Sequence, residues 1–178
     1  MKLLRTIRLD PSDTFVFTRA AEPGEWAVCG TFAFWDLDPI ALEGKARAEF
    51  RAGFLSVGTL GWSTLVQIVE ASEPERAALV ETLAQQLCAH FGAPSAGKAR
   101  AAAEQEVAFV ESLCIHPSDT LLALHRSYQN GEIREQFRTL RPRGGPKPLR
   151  AFAFLEVDDE AEAGETIDLT KLAEGEPK

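Results

Sequence analysis

The chain is poor in the residues that build disulfide frameworks, membrane spans and phosphate-binding loops. Its three cysteines, Cys29, Cys88 and Cys114, are odd in number and far apart. That argues against a disulfide scaffold and for buried thiols in a reducing compartment. No apolar run approaches the roughly 18 residues of a membrane-spanning helix. The N-terminal "MKLLRTIRLDPSD" carries Lys2, Arg5 and Arg8, but its apolar stretches are too short for a signal-peptide core. The cytoplasm is therefore the expected location. Cations are also scarce, with 19 Lys and Arg against 27 Asp and Glu, a net charge of −8. This balance argues against nucleic acid as a partner, since such binding matches cations to phosphates. It argues equally against adsorption to anionic membranes. The phosphate-cradling patterns GxxxxGK[ST] and GxGxxG are absent, as is the GxSxG of serine hydrolases.

What is present reads as one folded domain. Hydrophobic residues make up 45% of 178, and a chain of this size buries roughly 70% of its unfolded surface without a metal or disulfide staple. "LLRTIRL", "TFVFTR" and "WAVCGTFAF" are rich in β-branched and aromatic residues and read as three strands, with a Pro23-Gly24 turn before the third. At "WDLDP", Asp38 is placed to cap a helix with Pro39 at its first position. Leu42, Ala46, Phe50 and Phe54 continue that helix as an apolar stripe. "TLGWSTLVQIVEA" reads as one long, largely covered strand. Ser72 and Glu75 then form a capping box for a helix with Val80, Leu83, Ala84, Leu87 and Phe91 on one stripe and Gly92 as its stop. A second helix, from about Lys98 to Cys114, repeats the pattern with Ala103, Val107 and Val110.

"TLLALHRSYQNGEIREQFRTL" is the best hairpin signal, because Asn130-Gly131 suits a type I′ turn. A two-residue loop sets the register. Tyr128 faces Ile133, Arg126 faces Glu135 and Leu124 faces Phe137 on a largely apolar side. Ser127 faces Arg134, His125 faces Gln136 and Ala123 faces Arg138 on a polar one. A final strand, "LRAFAFLEV", follows a loop. The expected architecture is α+β: a mainly antiparallel sheet with about three helices on one face over residues 1–157. Residues 158–178 are acidic and read as a poorly ordered tail, with Ile167 and Leu169 as its main apolar anchors.

The candidate contact is cationic. "RTLRPRGGPKPLR" holds Arg138, Arg141, Arg143, Lys147 and Arg150 without an acid. Guanidinium forks suit phosphate or carboxylate, and Gly144-Gly145 lets backbone N–H groups approach a ligand. His125 is the conceivable acid/base neighbour. The bland alternative is a solvated connection balanced by the acidic tail. Other features fare worse. "CAH" and "CIH" supply too few ligands for zinc, and Cys88 and Cys114 lie on or beside apolar stripes, as buried thiols do. Asp36 and Asp38 are two carboxylates of which one already has work as a cap. Gly61 beside Trp62 marks a close backbone approach more readily than a ligand-facing bend. "PSDT" occurs at Pro11–Thr14 and again at Pro117–Thr120, and reads both times as a turn leading into a β-hairpin.

Together, "GWSTLVQIVEA", "LCAHFGAPS", "AEQEVAFVESLC" and "NGEIREQFRTL" resemble a family of small bacterial proteins of unknown function. The resemblance implies a cytoplasmic bacterial protein and carries over no catalytic residue, metal or cofactor. Two functions follow as expectations. One is a non-enzymatic binding or accessory factor for a protein partner. The other is an enzyme or ligand-binding domain that holds a small anionic molecule with the Arg138–Arg150 cations and His125. The sequence does not specify an oligomeric state.

Overall fold

The structure, a computed structural model, describes residues 1–141 and 156–158. Eight strands form one sheet. They are β1 (Lys2–Ile7), β2 (Trp26–Val28), β3 (Phe54–Ser56), β4 (Trp62–Ser63), β5 (Leu65–Glu70), β6 (Leu121–Gln129), β7 (Glu132–Arg141) and β8 (Glu156–Asp158). Their spatial order is β4-β3-β2-β1-β5-β6-β7-β8, and every neighbouring pair is antiparallel. The helices are α1 (Ser12–Val16), α2 (Gly44–Ala52), α3 (Glu73–His90) and α4 (Ala96–Leu113). The fold is the expected α+β domain.

The sheet curls. β3 and β7 stand five places apart in the order, or about 24 Å in a flat sheet at about 4.8 Å per strand. Yet the rings of Phe54 on β3 and Phe137 on β7 are 6.4 Å apart. The face turned inward by this curl carries Leu122, Leu124 and Arg126 of β6, all buried. Phe109 of α4 meets Phe137 at 6.0 Å on that side, and α4 also contacts β1 and β2. β5 pairs with β6 only through Leu65–Gln67, so β6 runs on past its neighbour. There α2 packs against it.

The long helices form as their sequences dictate. At the start of α3, the Ser72 side chain accepts from the Glu75 N–H while Glu75 accepts from the Ser72 N–H at 2.9 Å. This reciprocal pairing satisfies two donors that a helix start otherwise leaves open. At its end, Gly92 takes φ +68° and lets the Ala93 N–H reach back to the Leu87 carbonyl at 3.1 Å. Ala99, Ala103, Val107 and Val110 make a fully buried stripe on α4, and α3 and α4 lie side by side. The β6–β7 hairpin has the expected register at all six pairs named above, from Tyr128 opposite Ile133 to Ala123 opposite Arg138.

Several local expectations fail for tertiary reasons. "TFVFTR" is not a strand: Thr14–Val16 lie in α1, which the first "PSDT" opens. Asp13 within that motif is buried and accepts from the Thr64 N–H (3.1 Å) and Oγ1 (2.6 Å), which fastens the turn to the sheet. The second "PSDT" does lead into β6, with Asp119 at φ +71° accepting from the Gln67 amide. One tetrapeptide thus serves two different structures. "WAVCGTFAF" is β2 followed by a 3-10 turn over Thr31–Phe34, because Gly30 bends the chain at φ +74° where any Cβ would strike Leu55. Asp38 does not cap α2. It accepts from the Ile40 N–H in a local turn, and the helix starts six residues later at Gly44. Phe54 of the expected stripe belongs to β3. The long strand is split at Thr64 into β4 and β5. Cys88 is exposed, whereas Cys29 and Cys114 are buried. Gly61 does permit a close approach: a Cβ there would come within 2.6 Å of the Ala21 backbone.

Candidate functional site

The cationic set divides at the end of β7. Arg138 is exposed on that strand, and Arg141 is its last residue, opposite Glu156 of β8. Arg143, Lys147 and Arg150 lie outside the described residues. His125 sits half-buried on the same outward side of the hairpin as Arg138. Burial, then the charges of Arg51 and Arg138, hold its imidazole below the usual range. Arg51, at the C-terminal end of α2, has no counterpart in the sequence argument, because only the packing of α2 on β6 brings it there. The structure therefore joins His125 to Arg138 and adds Arg51, making a cationic patch.

A second polar centre lies inside. Arg126 is fully buried, and every nitrogen of its guanidinium is engaged. Nε donates to Glu135 Oε1 and Thr31 Oγ1, each at 2.9 Å. Nη1 donates to the carbonyls of Phe50 (3.1 Å) and Gly53 (2.8 Å), and Nη2 to the carbonyl of Cys29. Thr31 in turn donates to Glu135. The guanidinium carbon lies 5.6 Å from the centre of the Phe34 ring. The Arg126–Glu135 ion pair was legible in the hairpin register. Its burial was not, since that depends on the curl of the sheet.

Burial shifts the nearby groups toward their neutral forms. Burial pushes the Cys29 thiol well up, helped by the carboxylates of Glu135 and Glu106. Burial likewise pushes Cys114 up to about 12. Both thiols therefore stay protonated near neutral pH and are poor nucleophiles. Glu106 on α4 accepts from the Gly30 N–H at 3.0 Å, yet burial raises its carboxyl above the usual 4.5. Among the described residues, no three His, Cys, Asp or Glu side chains are placed to hold a metal. No helix among them is long and apolar enough to cross a membrane. The described residues include open clefts. One of about 690 Å³ is lined by Arg19, Thr59, Leu60, Gln86 and His90 among others. Another, about 240 Å³, lies beside the first "PSDT". Neither includes His125 or the β7 arginines.

DUF6505, described as a family of unknown function, matches residues 1–159. The chain belongs to that family. The DUF6505 match runs from β1 through β8, so it takes in the hairpin, the buried Arg126 cluster and the outward cationic patch. No curated protein and no solved structure matches the chain.

Two outcomes test this electrostatic picture. Arg126→Met, which leaves Glu135 without its counter-charge and three carbonyls without this donor, should cost roughly 3–5 kcal/mol in denaturant unfolding. Glu106→Gln should stabilise the fold at pH 7, because the amide oxygen keeps the Gly30 bond without a partly desolvated charge. A carboxyl raised in the folded state loses stability as pH climbs from its unfolded value through its folded one. The gain should therefore vanish below about pH 4, where the glutamate is protonated in both states. Urea melts of both chains between pH 3 and 8 would show it.

Proposed function

We propose that the chain is a non-enzymatic binding or accessory factor of the bacterial cytoplasm that docks a protein partner. The observation that carries this reading is a set of large apolar side chains left in solvent. Trp35 and Ile40 are each 77% exposed and Phe15 is 73% exposed. Leu9, Val16 and Leu37 are exposed as well. Both segments adjoin α2. Residues 35–40 lead into it, and α1 contacts it, with the Thr18 N–H donating to Glu49. Aromatic and aliphatic anchors of this kind are enriched at the centres of protein interfaces. The inner polar groups support the same view, since the Arg126 donors are all taken up by the fold and the buried thiols are protonated.

The test is affinity capture with the native proteome, followed by Kd measurement on the recovered partner. Trp35→Ser with Ile40→Ser should weaken that Kd at least tenfold, and melting should stay near the parent value because both side chains are largely in water. Unchanged affinity would remove the basis of the reading.

A second reading rests on the patch of His125, Arg138 and Arg51. There the domain holds a small anionic or phosphorylated molecule, with Arg141, Arg143, Lys147 and Arg150 completing the set. Phosphate, nucleotides and organic acids, screened by thermal shift, would find such a ligand. Arg141→Ala with Arg143→Ala should weaken its binding and leave the melting temperature of the free chain nearly unchanged. A large loss of stability would mean that these arginines serve the fold.

A further inference from the structure

β7 pairs with β6 from Glu132 to Leu140, but on its other side β8 meets only Thr139, Leu140 and Arg141. Among the described residues, no strand pairs with 132–138 on that second side. In a two-residue hairpin the residues flanking the loop, here Gln129 and Glu132, exchange both backbone bonds, and bonding alternates from there. Ile133, Glu135 and Phe137 therefore turn their N–H and C=O groups away from β6. Such an edge is a template for another strand. Natural edges are commonly blunted by proline, lysine or a bulge. Residues 132–138 contain neither residue type, and their register with β6 is unbroken.

The side chains say which strand fits. Glu132, Arg134, Gln136 and Arg138 share the outward side and are exposed, while Ile133, Glu135 and Phe137 share the inner side and are half-buried. Laid antiparallel against a copy of itself and centred on Glu135, this stretch is self-complementary. Glu132 meets the partner's Arg138, Arg134 meets the partner's Gln136, and Ile133 meets the partner's Phe137, each twice by symmetry. The same centre puts Ile133, Glu135 and Phe137 in the bonded pairs, where their free backbone groups are needed. Moving the centre by one residue sets guanidinium against guanidinium: Arg134 then opposes the partner's Arg134 or the partner's Arg138. At the axis two Glu135 carboxylates face each other, but each is held by its own Arg126 at 2.9 Å.

We propose that β7 is the interface with a second copy of this chain. The two 132–138 edges pair antiparallel about a twofold axis at Glu135 and join the two sheets into one. This interface needs neither the apolar docking surface around Trp35 nor an anionic ligand.

The full-length chain should sediment as a dimer at micromolar concentration and dissociate on dilution. An ionic strength of about 0.15 M screens the net charge of −8 on each copy. Glu132 and Arg138 of one chain lie about 20 Å apart along the strand, so they report on contact between chains rather than within one. Glu132→Arg and Arg138→Glu should each weaken the dimer about tenfold, because two opposed pairs become like-charged. A chain carrying both changes should regain the parent Kd. Mixing the two single variants should give a heterodimer, since one then offers two arginines to the other's two glutamates. Trp35→Ser with Ile40→Ser should leave the dimer as it is. A monomer at every concentration would overturn the proposal. So would a dimer indifferent to both single changes, or one that the Trp35 and Ile40 changes abolish. A loss that the double variant or the mixture fails to recover would overturn it as well.

Discussion

One guanidinium joins most of the structure. Arg126 belongs to β6, but its partners lie on β7, at the end of α2, just past β2 and in the 3-10 turn that follows. Phe50 and Gly53 are at the C-terminal end of a helix, where carbonyls lack intrahelical donors and the dipole favours a cation. A single side chain therefore caps α2, ties it to the hairpin and closes the bend after β2. Burying a cation is costly unless its hydrogen bonds are complete and a counter-charge is present. Glu135 provides the charge, and four oxygens from Thr31, Phe50, Gly53 and Cys29 complete the set.

The remaining architecture is compatible with that centre because the sheet curls. A flat sheet would hold Cys29 too far from β6 for an arginine to reach. Gly30 permits the turn that brings Thr31 to the guanidinium, and Glu106 secures the Gly30 N–H from α4. Two carboxylates, one arginine and a thiol thus share a small volume. Burial, with the neighbouring Glu135 carboxylate adding to it, pushes both Cys29 and Glu106 toward their neutral forms. The outer surfaces expose the apolar segments beside α2 and the cationic side of β6–β7.

The sequence was most legible where structure is local. The Ser72–Glu75 box, the Gly92 stop and the Asn130-Gly131 turn each act within a few residues, so their outcomes do not wait on the rest of the chain. The hairpin register followed from the turn, and with it the Arg126–Glu135 pair. Legibility fell wherever packing chose between options of similar local energy. "TFVFTR" has strand composition, but Asp13 finds its acceptor role at Thr64, and α1 results. Asp38 had a plausible helix to cap, yet its own turn to Ile40 comes first. Of the expected cationic residues, His125 and Arg138 share a side of the hairpin, while Arg51 joins them only through the docking of α2.

The sequence by itself determined the class of fold, the two long helices and their boundaries, the hairpin and its pairing, and a charged segment past β8. Periodicity, caps and turn chemistry act over short chain distances, so they are written directly in residue order. Only the tertiary structure decided that Arg126 would be buried, that Cys88 would face solvent, and that Trp35, Ile40 and Phe15 would remain uncovered. Those outcomes depend on which surfaces a curled sheet encloses, and that is set by contacts between residues as far apart as Cys29 and Arg126.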